Sequence, residues 1–239
     1  MSANFEEPVV LITGATGPLG GAAAVRFARD GARLALVSRD RERLEAMGES
    51  LGIASDRWLA VPGELTDADA AHAVAADVVQ HWGRIDVLLH LVGGWVGGTA
   101  VVDLDHDEVR SMLDQHLWTT LHVFQAVVPG MVERGFGRLI AVSSPFAADP
   151  RGKGASYAIA KAAEEVLVRS LAHEVAGSGV TANLVIVRTI DAKHERDTVP
   201  SSKNASWTTP EEIADTLAFL ASPGAAAITG ARIPLDGRG

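Results

Sequence analysis

At 239 residues, 47% of them hydrophobic, the chain suits one domain with a sizeable core and is too apolar for disorder. A formal net charge of −9, with no block of Lys or Arg, argues against nucleic acid or a membrane surface as the main partner. The absence of Cys excludes disulfides, thiol catalysis and cysteine-ligated metals.

Met1 to Glu7 carries no basic stretch of the kind that opens a secretory signal, so a cytoplasmic protein is expected. The uncharged run Pro8 to Val25 is interrupted by Gly and Pro, which fits strand, loop and helix better than a membrane span. Val9-Val10-Leu11-Ile12, wholly apolar and β-branched at three positions, predicts a strand buried on both faces. The Gly-rich turn Thr13-Gly14-Ala15-Thr16-Gly17-Pro18-Leu19-Gly20 follows, then a helix over Leu19 to Asp30. Backbone N–H groups at such a helix start accept a pyrophosphate. Pro18 removes one donor but is tolerated in a first turn, and the Leu19 N–H remains.

Arg33 to Val37 predicts the second strand and Trp58 to Val61 the third. Thr66 is read as the cap of a helix running through Trp82, and Val87 to Val92 as strand four. Asp103, Asp105 and Asp107 resemble the start of a calcium loop, but the sixth position lacks Gly and the twelfth is Asp114 rather than Glu. A capping box is the better reading, with Asp105 at the N-cap and Glu108 at N3. The histidines show no metal-ligand spacing, and no metal site is predicted.

The helix so capped carries Gln115-His116-Leu117. Leu139 to Val142 predicts a buried strand ending at Ser144, and Gly154 to Ala176 has helical periodicity. Val180 to Val187, containing Asn183, predicts strand six. A polar stretch at about 188–208 is long enough to be a lid. Thr209-Pro210-Glu211-Glu212 restarts a helix with a capping Thr, Pro at the first position and Glu at N3. Ile228 to Pro234 supplies the last strand. Strands alternate with helices throughout, which predicts residues 1–239 to form a single α/β domain around a doubly wound, Rossmann-type parallel sheet of about seven strands.

Chemistry concentrates around Tyr157, the only Tyr in the chain. Lys161 lies four residues on, so one helical turn puts both side chains on one face. A free phenol has a pKa of about 10, poorly matched to proton transfer near neutrality. A cation ~4 Å away interacts by roughly 4 kcal/mol at an effective dielectric of ~20, about three pK units. The Ser144 hydroxyl, at the end of its strand, is placed to hold a reacting oxygen.

Ser144 precedes Tyr157 by thirteen residues, Lys161 follows by four, and the Gly-rich turn sits near the N-terminus. In this order and spacing the motifs resemble the short-chain dehydrogenase/reductase family, over nearly the whole chain. The resemblance implies hydride transfer between a nicotinamide cofactor and a small-molecule carbonyl or alcohol. Tyr157 would be the proton donor, Ser144 would bond the substrate oxygen, and Lys161 would lower the Tyr pKa and hold the nicotinamide ribose. Cofactor contacts are implied for Gly14, Thr16, Gly17, Leu19, Gly20, Ser38, Arg39, Glu64, Leu65, Gly93, Tyr157, Lys161 and Ile190. Ser38 followed by Arg39 suits a 2′-phosphate, where an acidic residue would favour NAD(H). NADP(H) is therefore expected over NAD(H).

The chain departs from the family at four places. Pro18 replaces the middle Gly of the turn, and His90-Leu91-Val92-Gly93 replaces Asn-Asn-Ala-Gly, without the polar Asn side chains. His116 falls where many relatives carry a catalytic Asn, and Val187-Arg188 stands where they have Pro-Gly. In relatives the Asn helps hold a water linking the Lys to solvent. An imidazole could hold the same water and also titrates, so a relay role for His116 would put an acidic limb on the pH–rate profile. These departures keep two alternatives open: a non-catalytic nucleotide-binding protein on the same fold, and epimerase or dehydratase chemistry that returns the hydride. The family commonly forms homotetramers. Ala162, Ala163, Val166, Leu167, Ser170 and Leu171 offer a face for a tetramer or dimer. Trp95, Phe146 and Trp207 are candidates for an apolar substrate pocket, with Arg188 facing an anion.

Overall fold

β1 (Val9–Thr13) is buried at every position in the computed structural model, which describes residues 7–237. The reading of Met1 to Glu7 as lacking a signal lies, but for Glu7, outside the described residues. Successive side chains of a strand point to opposite faces. Val9 and Leu11 accordingly join the core formed with Val74, Val127 and Val168, whereas Val10 and Ile12 join the core formed with Phe27, Leu44 and Leu217. A strand serving two cores must be apolar throughout, and that is the pattern its sequence shows.

The remaining strands are β2 (Arg33–Ser38), β3 (Trp58–Pro62), β4 (Val87–His90), β5 (Gly137–Ser143), β6 (Val180–Val187) and β7 (Arg232–Leu235). All pair in parallel, in the order β3-β2-β1-β4-β5-β6-β7. Helices α1 (Pro18–Arg29), α2 (Arg41–Ser50) and α8 (Pro210–Ala221) cover one face. The other face is covered by α3 (Ala68–Trp82), α5 (Thr119–Arg134) and α6 (Ala155–Glu174). The strand order reverses between β1 and β4, which opens a crevice beyond their C-terminal ends. Thr13 pairs with both Val37 and His90 there, so the Gly-rich turn emerges at the reversal.

Several element ends differ from the sequence reading. β4 stops at His90 rather than Val92, and β7 starts at Arg232 rather than Ile228. Asp67, not Thr66, caps α3, because the Thr66 hydroxyl is spent on the Glu64 carboxylate, 3.0 Å away. Asp105 does cap α4 (His106–Leu113), accepting from the Asp107 N–H. Its box stays open, since Glu108 turns instead to the hydroxyls of Ser156 and Thr99. The box at Thr209 and Glu212 forms as expected, with Pro210 at the first position.

A π-helical turn, Asp114–Trp118, separates α4 from α5 where one continuous helix was expected. Thr119 and Thr120 donate their hydroxyls to the carbonyls of Gln115 and His116, competing with the regular backbone ladder. The widened turn buries His116.

Hydrogen bonds and an ion pair anchor the segment at 188–208 on α8. Asp191 accepts from the N–H groups of Glu195 and Arg196 at the start of a short helix, α7 (Glu195–Thr198). Arg196 makes a two-pronged pair with Glu212 at 2.8 and 2.9 Å. Among the described residues no helix is long and apolar enough to cross a membrane, and no cluster of His, Asp or Glu could hold a metal ion.

Candidate active site

Gly14 sits at φ +70, and a Cβ there would lie 2.8 Å from the Leu91 carbonyl oxygen, so only Gly fits between the turn and the end of β4. No side chain caps α1 at Gly17, which leaves the N–H groups of Leu19 and Gly20 for a ligand. Two of the cavities that border the turn adjoin each other, sharing Gly14, Gly17 and Gly93. The outer one, about 770 Å³, is walled by Gly14, Thr16, Gly17, Ser38, Arg39, Glu64, Leu65 and Gly93. The inner one, about 350 Å³, adds Leu19, Gly20, His116, Ser143, Tyr157, Lys161 and Ile190. Every residue expected to hold the cofactor thus lines one cavity or the other.

At the outer cavity the Ser38 hydroxyl closes a turn with the Asp40 backbone. Arg39 is 81% exposed and lies 3.8 Å from the Glu64 carboxylate, a loose pair that leaves the guanidinium able to turn to a ligand. Asp40 is turned away, capping α2 through the Arg43 N–H.

At the inner cavity α6 presents Tyr157 and Lys161 one turn apart, as their spacing requires. The Lys161 ammonium donates to the Val142 carbonyl at 2.8 Å and to the Glu164 carboxylate at 2.5 Å. The Tyr157 ring meets His116 and Phe146 edge-on, at 5.6 and 6.1 Å between centroids. Ser144 is buried beside them, its hydroxyl accepting from the Phe146 N–H at 3.3 Å. Ser143 lines the cavity itself with a buried hydroxyl that has no partner. A Cβ on Gly93 would lie 3.1 Å from His116 Cε1 and 4.0 Å from Lys161 Nζ, so this Gly leaves the floor of the cavity open.

His116 donates from Nε2 to the Gly94 carbonyl at 3.0 Å. Burial, and then the Lys161 charge, push its pKa down to about 3. Its protonation therefore falls below the working pH range, and the acidic limb expected from sequence moves out of reach. His90 is lowered to about 3 by the same two causes. Its ring spans Thr13 at 3.0 Å and Thr119 at 3.4 Å, so an imidazole supplies polar bonding at the end of β4, where the family's Asn side chains are missing.

Of the apolar candidates, Trp95 lines the inner cavity and Trp207 does not; the Trp207 carbonyl accepts from Arg196. Arg188 lines the cavity and donates to the Ser206 hydroxyl at 3.0 Å. Leu171 belongs to the core, which removes it from the proposed oligomer face.

Sequence reasoning passes over Glu164. A Glu164-Glu165 pair in a helix reads as a solvated edge, yet both carboxyls are buried. The available signal was spacing alone, since Glu164 lies one turn beyond Lys161.

The family model described as enoyl-(acyl carrier protein) reductase matches residues 14–237. The short-chain reductase protein NovJ of Streptomyces niveus is 32% identical over 247 residues, covering 97% of this chain and 94% of that one. A cyclohexanol dehydrogenase from a Rhodococcus species is 31% identical over 258 residues, covering 96% and 94%. The fold is shared with a 3-ketoacyl-(acyl-carrier-protein) reductase of Brucella melitensis solved with NADH, at a TM-score of 0.87, 24% identity and 98% coverage of both chains. With similarity running from the Gly-rich turn to the end of β7, the chain belongs to the short-chain dehydrogenase/reductase family of NAD(P)-dependent oxidoreductases.

Proposed function

We infer that the protein transfers a hydride between NADP(H) and a small-molecule carbonyl/alcohol pair. The observation that carries this reading is the placement of Tyr157 and Lys161 in an inner cavity that adjoins the cavity of the Gly-rich turn. A pyridine nucleotide fits across the two cavities, because the Gly-rich turn borders both and the α1 start has uncapped donors. Bound there, the nicotinamide supplies the hydride. Gly14, Thr16, Gly17, Leu19 and Gly20 would hold the pyrophosphate, and Glu64 and Leu65 would border the adenine. Ser38 and Arg39 support NADP(H) over NAD(H), since no acid faces the ribose from Ser38 and Arg39 offers a flexible guanidinium.

In the reductive direction Tyr157 gives its proton to the carbonyl oxygen. The Ser144 hydroxyl, accepting from Phe146, keeps its own proton for that same oxygen. Lys161 stabilises the negative charge that develops on Tyr157. Neutral His116 packs on the Tyr157 ring and holds the Gly93-Gly94 backbone in place. Arg188, Thr189 and Ile190 border the inner cavity, which supports a lid at 188–208 hinged on the Arg196–Glu212 pair. The protein would act in the cytoplasm as a homo-oligomer. Val166 is 60% exposed on α6 beside Ala162, Ala163, Leu167 and Ser170, an apolar face suited to a second copy in a dimer or tetramer.

The test is NADPH oxidation across a panel of ketones, aldehydes and quinones. Tyr157→Phe should lose at least ~100-fold in turnover with cofactor affinity little changed. Near-normal turnover in that variant would remove Tyr157 from the mechanism. NADPH-neutral conversion of a substrate would favour epimerase chemistry.

A further inference from the structure

Glu164 is fully buried behind Lys161, inside the catalytic helix, and nothing in the hydride-transfer scheme uses it. Its Oε2 accepts from Lys161 Nζ at 2.5 Å, while its Oε1 is buried with no partner. Across from it stands His116, whose Nδ1 is likewise buried and unpartnered, 4.0 Å from Oε2. The Gly94 carbonyl can only accept, so the His116 proton is on Nε2 and Nδ1 presents a bare lone pair. Glu164 Oε1 and His116 Nδ1 are therefore two buried acceptors on neighbouring side chains, neither with a donor among the described residues. Such an arrangement leaves one buried acceptor on each group without a hydrogen bond, which is costly. One proton on Glu164 resolves it: Oε2 continues to accept from Lys161, and Oε1–H becomes the donor that Nδ1 lacks.

We propose that Glu164 is a buried proton store, held in its acid form by His116 Nδ1, that refills Lys161 during turnover. It acts through Lys161 and is therefore a positioning residue rather than a catalytic one. Tyr157 loses its proton to the substrate oxygen, and the resulting phenolate is refilled from the Lys161 ammonium. The Lys161 amine then takes the Glu164 proton, leaving a carboxylate that recovers a proton from solvent between turnovers. This refilling rests on the hydride-transfer reading above, whereas the protonation of Glu164 does not.

The surrounding charges are consistent with that assignment. Burial pushes the Glu164 pKa up; Lys161 pulls it down, and the neighbouring Glu165 pushes it up again, with burial the largest cause. Glu165 is itself neutralised by Arg232 of β7 at 2.6 Å. His116 from the π-helical turn and His90 from β4 both stand uncharged at neutral pH, and Glu108 of α4 is held by the hydroxyls of Ser156 and Thr99. Lys161 is thus the one cation in direct contact with Glu164 among the described residues.

The experiment has a spectroscopic and a kinetic arm. In the folded protein without cofactor, carbon-13 spectra of the glutamate carboxyls should show one that titrates above all the others. That signal should be absent in Glu164→Gln and should titrate lower in His116→Leu, which removes the acceptor. Glutamates that all titrate together in the wild type would overturn the store without any variant having to fold. In the kinetic arm, the first turnover of NADPH in Glu164→Gln should keep the wild-type rate, because it uses the proton already on Tyr157. Later turnovers should slow by ~10- to 100-fold, giving a burst of one NADPH per site. Equal slowing of all turnovers, as a merely structural role would produce, overturns the refilling step. Wild type inactive with every carbonyl fails the hydride-transfer reading and the refilling step with it, while the carboxyl titration stands or falls by the spectrum alone.

Discussion

Gly20 and Gly21 are neighbours in the first turn of α1, yet alanine should act on them with opposite sign. A Cβ on Gly20 would land on the carbonyl oxygens of Gly14 and Ala15 and within 2.6 Å of the Ala15 Cα. All three are backbone atoms, so no side chain can rotate away and the turn itself must move. Overpacking of this kind costs about 1–3 kcal/mol, only partly offset by the ~0.5–1 kcal/mol that Ala gains over Gly in a helix. A Cβ on Gly21 meets nothing within 4 Å, so there the propensity gain stands alone. At ~2–4 °C per kcal/mol for a domain of this size, Gly20→Ala should lower Tm by several degrees and Gly21→Ala should raise it by about 1–4 °C. Cofactor affinity adds a second readout. Displacing Gly14 disturbs the pyrophosphate cradle, so NADPH should bind Gly20→Ala about tenfold more weakly, ~1.4 kcal/mol, and Gly21→Ala nearly as wild type. Thermal unfolding and NADPH titration on the same preparations measure both. Two variants with shifts of the same sign and size would refute the steric argument for the turn.

Two further outcomes follow from side-chain geometry. The two-pronged Arg196 pair holds Glu212 down to a pKa of about 2, against an ordinary 4.5. A depressed carboxylate contributes its stability above pH 4.5 and loses it as pH falls toward 2. Because the Glu212 side chain is 37% exposed, screening reduces this to about 1–2 kcal/mol. The urea-unfolding gap between wild type and Glu212→Gln should therefore be largest near neutrality and narrow below pH 4.5, and a gap independent of pH would refute the pairing. Ser38→Asp should shift binding from NADPH toward NADH by about tenfold, since it repels a 2′-phosphate and offers a ribose hydroxyl an acceptor. Wild type that already binds NADH as tightly as NADPH would overturn the cofactor preference.

Local chemistry determined a good deal of this protein by itself. Short, β-branched apolar runs bounded by Gly, such as Val9 to Ile12, favour strands with both faces covered, and strict alternation of strands with helices leaves few topologies besides a doubly wound parallel sheet. The Tyr157–Lys161 spacing and the Gly-rich turn were legible for the same reason: helix pitch and positive φ are set within a few residues. What local chemistry leaves open is where a side chain ends up once distant segments meet. Glu164 and Glu165 read as surface charges until α6 docks on the π-helical turn and β7 approaches. Thr66 read as a cap because nothing in its own segment said that Glu64 would take its hydroxyl. The sequence made a lowered His116 pKa conditional on burial beside Lys161, and both the burial and the neighbour belong to the assembled fold. Much of the backbone geometry is specified by short-range sterics and could be read directly, the π-helical turn and the ends of β4 and β7 excepted. Burial and electrostatic partners are set by contacts between residues far apart in the chain, and only the tertiary structure supplies them.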